Sequence, residues 1–528
     1  MAMSSCTAST IHHIPLPSNT AKTGHQAVPQ QPMHCIATAN ATATTAAPPE
    51  NNISQSLQSR RASSSSINLP TVLTNLFHLS THKSNPNSSA HLNTLPTPTP
   101  ISAAGRSTPT LSPKEDISSL YPQIHGSADW SPLLDPLHPY LRREIVKYGE
   151  FSQATYDAFD YNPFSKYCGS CLYSRPRFFE KLGLARSGYG VEKYLYAMSH
   201  VELPRWLERS VHADTWSKDS NWMGYVAASD DQESRRIGCR NIVVCWRGTV
   251  AQAEWFEDIQ GKLELLDGEH DKNVRVEHGF LSLYTSKSEA TRYNKTSASE
   301  QVMEEIERLV KLYKQRGEKV SLTVTGHSLG GALALLTAFE AASTIPDLPV
   351  SVISFGAPRV GNGAFAEKLK QLQVKTLRVV VKQDVVPKLP GILFNEGGLM
   401  GRQLEWVYTH VGLELGLNVN SSPYLKHGTM DFSGFHSLET YLHLVDGYLS
   451  GDSGFRTSAK RDVALVNKAC GMLKDDLRIP TCWNQSANKG MVCNAYGRWV
   501  HPQRAPEDVP SPMRKPQALP SPSQDHRP

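Results

Sequence analysis

The sequence predicts an α/β fold, with a mostly parallel central sheet covered by helices on both faces. Three observations carry that expectation. Residues 320–338, VSLTVTGHSLGGALALLTA, begin with Val320, Leu322 and Val324 alternating against Ser321, Thr323 and Thr325, the period of a strand with two unlike faces. The same stretch passes at Gly326 into an Ala- and Leu-rich run that favours helix. The runs IVVCW (242–246), VSVISF (350–355) and LRVVV (377–381) are short, apolar and β-branched, as strands buried on both sides are. Strands that alternate with helical segments pair in parallel.

Residues 1–114 are expected to stay disordered, because their Ser, Thr, Ala, Pro and Asn offer too little apolar surface to offset the entropy of ordering them. Six basic residues there face Glu50 alone. A hydroxylated, acid-poor and arginine-sparse N-terminus is the composition of a chloroplast transit peptide, with a disordered regulatory tail as the alternative. The folded catalytic domain and a C-terminal extension are expected over 115–500. After Pro139, Leu141, Ile145, Tyr148, Ser152, Tyr156 and Phe159 fall at helical spacing, which predicts an amphipathic helix whose face serves packing. Residues 222–227 read as a strand and 229–240 as a turn or short excursion. The strand 242–246 delivers Arg247-Gly248-Thr249, and the chain turns into another helix near 277–281. Ser297 and Glu300 form a capping-box pattern for a helix with Val302, Ile306, Leu309, Val310 and Tyr313 on one face, closed by Gly317. Residues 463–473 read as helical, and the Pro-rich stretch 501–528 as a flexible tail.

Composition excludes several classes of function. Beyond residue 114 the chain carries 48 basic and 48 acidic residues, a neutral balance that argues against nucleic acid as a partner. Nine cysteines at irregular spacing do not form a secreted disulfide framework and fit a reducing compartment. Cys168 and Cys171 have C-x-x-C spacing without a second pair, so they read as structural and no metal is expected. No apolar run of about 18 residues predicts a membrane span.

Gly326-His327-Ser328-Leu329-Gly330 is a G-x-S-x-G turn between a strand and a helix, the context of a nucleophile elbow. A tight turn leaves no room for a Cβ at Gly326 or Gly330, and it pushes Ser328 out at the tip. The order of the pieces is that of an α/β-hydrolase. A serine hydroxyl needs a base to take its proton and an acid to orient the base, in the chain order Ser, Asp or Glu, His. Asp384 is the first carboxylate after the strand 377–381; Asp347 and Glu367 are rivals, one after a helix and one within one. Among His410, His427, His436 and His443, His436 is preferred because it stands at a loop-to-helix junction, whereas His443 lies inside the helix. The oxyanion needs two N–H donors: the amide of Leu329, and Thr249 at the end of its strand. Arg247 reads as holding that loop through carboxylate or carbonyl contacts.

Together CWRGT, EWFEDI, EHGFLSLYTS, VTGHSLGGALA, ISFGAPRVGN, RVVVKQDVVPKLPG and FHSLETYLHLVDGY resemble the class 3 lipases, and more closely the plant chloroplast phospholipase A1 type I group. NWMGYVA and ANKGMV belong to the likeness without any catalytic role. The resemblance implies a cofactor-free serine hydrolase, a phospholipase A1 or galactolipase. Such an enzyme cleaves the sn-1 acyl ester of phosphatidylcholine or galactolipids at a membrane surface or lipid droplet. Its expected place is the chloroplast stroma, thylakoid surface or plastoglobule; one member of the group initiates jasmonate synthesis. It places the family's serine, aspartate and histidine on Ser328, Asp384 and His436, and a lid on 250–260, with Trp255, Phe256 and Ile259 on its apolar side. A triacylglycerol lipase, an acyltransferase and a non-catalytic lipase-like scaffold are the alternatives. Relatives more often carry Ala and Asn around the histidine where this chain has Phe435 and Ser437.

Overall fold

The computed structural model describes residues 115–162, 165–198, 220–249, 262–266, 273–390, 407–428, 430–451, 454–456, 458–484, 492–493, 495–500 and 504–510. The expected transit segment 1–114 and the candidate lid with Trp255, Phe256 and Ile259 lie outside them.

Among the described residues, β1 (Tyr189–Ala197), β2 (Asn221–Ser229), β3 (Arg240–Trp246), β4 (Val320–His327), β5 (Val350–Phe355), β6 (Lys375–Val381) and β7 (Leu413–Leu417) lie side by side in chain order. From β3 to β7 every pairing is parallel, and β1 and β2 add an antiparallel edge. The mostly parallel sheet expected from the sequence is present. The edges β1 and β7 were not anticipated, since each carries charge, Glu192 and Lys193 in one and Glu414 in the other, as edge strands do.

The longer helices are α1 (Pro139–Asp157), α2 (Asp231–Ile237), α3 (His278–Thr285), α4 (Ala298–Gln315), α5 (Leu329–Thr344), α6 (Gly363–Gln371) and α7 (Leu438–Gly447). α4 begins with the predicted capping box, Ser297 accepting from the Glu300 amide and Glu300 reaching back to the Ser297 amide. α2 corrects the expected turn: Asp230 caps it by accepting from the Glu233 amide, and Gly238 at φ 80° ends it. Its polarity conceals a helix because Glu233 and Arg236 are buried as an ion pair at 2.7 Å. The expected helix over 463–473 is only a 3-10 turn, Val463–Lys468, started by Asp462. Beyond it, the chain leaves helix to pair Leu473 with Leu425. Within the stretch expected to be a tail, residues 504–510 are held on the body. Arg504 meets Asp160 at 2.8 Å, and Asp508 accepts from the Ser174 amide at 2.7 Å.

Successive residues of a strand point to opposite faces. Val243 and Cys245 of β3 enter a core with Tyr148 and Phe151 of α1 and Tyr441 and Leu442 of α7. Ile242, Val244 and Trp246 enter another, with α4 and α5. β4 divides in the same way: Val320, Leu322 and Val324 face α4 and α5. Thr323, Thr325 and His327 face α1, where polar side chains would be costly if left unpaired. They are paired. Tyr148 donates to Asn241 Oδ1 at 3.3 Å and Asn241 donates to Thr323 at 3.0 Å. Ser152 meets Thr325 at 3.3 Å, and Tyr156 meets His327 at 2.7 Å. Four helical residues advance about 6 Å and two strand residues about 6.6 Å, so positions 148, 152 and 156 keep step with 323, 325 and 327. The α1 face therefore does more than the packing expected of it.

Candidate active site

β4 ends at His327 and α5 begins at Leu329, so Ser328 alone makes the turn. Its backbone stands at φ 58°, ψ −128°, a conformation that costs on the order of 1–3 kcal/mol and persists only where the surroundings enforce it. They do so by close approach. A Cβ at Gly326 would overlap the Gly330 carbonyl group, and one at Gly330 would overlap the Trp246 carbonyl oxygen. Ser328 is 3 % exposed, and its amide donates to the Phe355 carbonyl at 2.9 Å.

Asp384 follows β6 and is fully enclosed. Its Oδ1 accepts from the Val386 amide at 2.9 Å, while Oδ2 accepts from the Tyr441 hydroxyl at 2.6 Å and from His436 Nδ1 at 2.6 Å. Because Nδ1–H is spent on the carboxylate, Nε2 is the proton-accepting atom of the neutral ring. His436 closes the short helix Phe432–Phe435 just ahead of α7, the junction expected from the sequence. Gly356, next to the Phe355 that holds Ser328, is packed against both partners: a Cβ there would stand 3.1 Å from Asp384 Oδ2 and 3.2 Å from His436 Cε1. Gly248 lies over Ser328, its Cβ position 3.2 Å from the serine Cβ. Asp384 and His436 are thus joined by a bond, and the Phe355–Gly356 backbone that holds Ser328 is packed against both of them.

The rivals are elsewhere. His443 lies within α7 and bonds Ser422 at 2.8 Å, with burial lowering its pKa to about 4. His410 is lowered to about 3, by burial first and then by Arg378 and Arg359. His427 meets the Ser422 carbonyl at 3.1 Å. Asp347 is exposed, and Glu367 lies on α6.

Leu329 sits at the first turn of α5, where amide donors lack partners within the helix. Among the described residues, the buried Thr249 hydroxyl has no hydrogen-bond partner. Arg247 does hold its loop through carbonyls, those of Trp222 at 3.1 Å and Gly248 at 3.0 Å, and its guanidinium stacks 3.8 Å over Phe159. A cavity of about 320 Å³ opens beside this loop, lined by Tyr156, Thr249, His327, Ser437 and the Asp157–Lys468 ion pair.

Sequence reasoning missed Tyr441 as a partner of Asp384 and Tyr156 as a partner of His327. Tyr441 lies within the stretch that carries the resemblance, five residues past His436. Among the described residues no group of His, Cys, Asp and Glu is arranged to hold a metal ion, and no helix is long and apolar enough to cross a membrane.

The model of the class 3 lipase family matches residues 243–394, which contain the elbow, Thr249 and Asp384. Phospholipase A1-Igamma1, chloroplastic, of Arabidopsis thaliana is 47 % identical over 405 residues, covering 73 % of this chain and 78 % of that protein. The chain belongs to the class 3 lipases. Phospholipase A1-Igamma2, chloroplastic, of the same plant is 47 % identical over 400 residues, covering 72 % of this chain and 75 % of that one. A solved lipase from Rhizopus microsporus var. chinensis is 21 % identical with a TM-score of 0.35, covering 54 % of this chain and 76 % of that chain. As a class 3 lipase with an α/β-hydrolase fold, the protein is a carboxylic ester hydrolase cleaving acyl esters of glycerolipids, and its compartment is the chloroplast.

Proposed function

We propose that Ser328, His436 and Asp384 are the nucleophile, base and orienting acid of a phospholipase A1 that cleaves the sn-1 ester of a glycerolipid. The observation that carries the reading is the 2.6 Å bond from His436 Nδ1 to an enclosed Asp384 beside a serine held at positive φ. It leaves Nε2 to receive the Ser328 proton as Oγ attacks the acyl carbonyl. The oxyanion is met by the Leu329 amide and by Thr249, whose unpartnered hydroxyl is a ready donor. The imidazolium returns its proton to the departing lysolipid oxygen. Water, deprotonated by the same ring, then releases the fatty acid from the acyl-serine. Tyr441 gives Asp384 a further donor and fixes the carboxylate toward the imidazole.

Residues 1–114 act in this reading as the transit peptide, and the lipid is met at the thylakoid surface or a plastoglobule, with Trp255, Phe256 and Ile259 of 250–260 as its lid. Phosphatidylcholine and galactolipids are the substrates implied. The test is an active-site fluorophosphonate followed by peptide mass spectrometry, then a lipid panel of phosphatidylcholine, mono- and digalactosyl diacylglycerol and triacylglycerol. Labelling on Ser328 with sn-1 release from a polar lipid is expected. An unlabelled Ser328 would leave a scaffold, and preference for triacylglycerol would overturn the substrate.

A further inference from the structure

We infer that Tyr156 and His327 are positioning residues for the reaction, a hydrogen-bonded strut that sets the oxyanion loop, the nucleophile turn and the base loop at fixed separation. The inference rests on the proposed roles of Ser328 and His436 and adds to them.

His327 precedes Ser328, and its two ring nitrogens are both engaged: Nε2 lies 2.9 Å from the His436 carbonyl oxygen and Nδ1 lies 2.7 Å from the Tyr156 hydroxyl. A carbonyl oxygen can only accept, so Nε2 carries the proton and Nδ1 must accept from Tyr156. The Tyr156 oxygen is also packed against the Gly248 backbone. Contact there is close enough that a Cβ at Gly248 would overlap the phenol oxygen. One line of donors therefore runs in a single direction, from Tyr156 O–H through His327 to the backbone of His436, with Gly248 in contact at its start. Such chains polarise their members and strengthen each bond. Gly248 carries Thr249, and His436 carries the base, so the two ends of the line are the loops whose spacing decides whether oxyanion and proton are met together.

The strut stays neutral. Burial, then the neighbouring His436, holds the His327 pKa well below the usual imidazole range. Its ring lies 4.6 Å from that of His436, so a proton on His327 would oppose the imidazolium that forms during acyl transfer. The α1 ladder supplies the other anchor, since Tyr156 follows Tyr148 and Ser152 in register with β4.

Misplacing a reacting group by about an ångström can cost roughly a hundredfold in rate. Tyr156→Phe keeps the packing and cuts the line, and His327→Gln keeps a donor for the His436 carbonyl. The expected result, on p-nitrophenyl butyrate, is a kcat lowered roughly ten- to a hundred-fold in Tyr156→Phe with KM within about twofold. Melting temperature should be little changed, and the double variant should be no slower than the slower single one, as members of one chain behave. A Tyr156→Phe enzyme with kcat within twofold of the parent, or losses that multiply in the double variant, overturns the strut. So does a loss of kcat that follows a loss of melting temperature. The two readings fail separately: an unlabelled Ser328 removes the catalytic assignment, whereas labelling at the parent rate in Tyr156→Phe removes only this inference.

Discussion

Along β4, alternate residues meet two different worlds. Leu322 and Val324 join Ile306 of α4 and Leu333 of α5 in an apolar core, the aliphatic side of the strand. A bond from Trp246 Nε1 to Thr337 at 2.9 Å is a polar contact on that side. One residue along in each case, Thr323 and Thr325 point toward α1, where Ser152 meets Thr325 and Tyr148 reaches Thr323 through Asn241. The aliphatic side is held by burial, which is non-directional and tolerates repacking. The α1 and α7 side is held by directional bonds, which fix positions and are costly to leave half made. The proposed chemistry lies where the directional bonds run. Tyr156, His327, His436 and Asp384 are all on that side, and α7 brings Tyr441 and the histidine junction to it.

The separation of stability from chemistry can be tested from both sides. Ser328→Ala should lower kcat on a polar glycerolipid by five to six orders of magnitude, on the order of what a lost nucleophile costs, with an unchanged melting temperature. Retained hydrolysis would break the assignment. Asp384→Asn should cost about 10⁴-fold, since it places the wrong tautomer of His436 toward the serine, while KM stays near the parent value. A loss smaller than tenfold in steady-state assays would mean that the 2.6 Å bond does not orient the base. Leu333→Ala, on the aliphatic side, should do the reverse: roughly 2–5 kcal/mol less stable in urea unfolding, with kcat kept at temperatures where the variant is folded. A kcat that collapses at those temperatures would show that the two sides are not separable.

The smallest effect concerns pH. His443 is neutral in the fold, its value lowered to about 4 by burial, against about 6.5 for an unfolded chain. Between those values the unfolded chain binds a proton that the folded one refuses. Its contribution is therefore fully present above pH 6.5 and is lost as the pH falls toward 4, by an amount on the order of 3 kcal/mol across the window. His443→Gln should flatten the fall of melting temperature between pH 7 and pH 5. An unchanged slope would assign the acid sensitivity to other groups.

The alternation of 320–325 disclosed the two faces of β4, and the G-x-S-x-G with its glycines disclosed the turn. These signals are local, written in a period or a steric need within a few residues. Asp384 could be reached because a carboxylate just past a strand is a position in the fold, and His436 because a helix start can be seen in the sequence. Tyr156 and Tyr441 could not be assigned their roles. Each sits on a helical face that periodicity labels as buried, and a buried tyrosine reads as packing until the partner of its hydroxyl is known. The same limit hid α2, whose buried ion pair looks like an exposed turn when only polarity is read.

His327 and the carbonyl it holds are 109 residues apart in the chain. A polypeptide that stops just after Asp384 already contains the elbow and Thr249, yet it has neither His436, the proposed base, nor the loop that places it. In the proposed mechanism the nucleophile is therefore made early during synthesis and armed late. On that mechanism, a fragment that ends between α5 and β7 retains the serine without the base that would activate it.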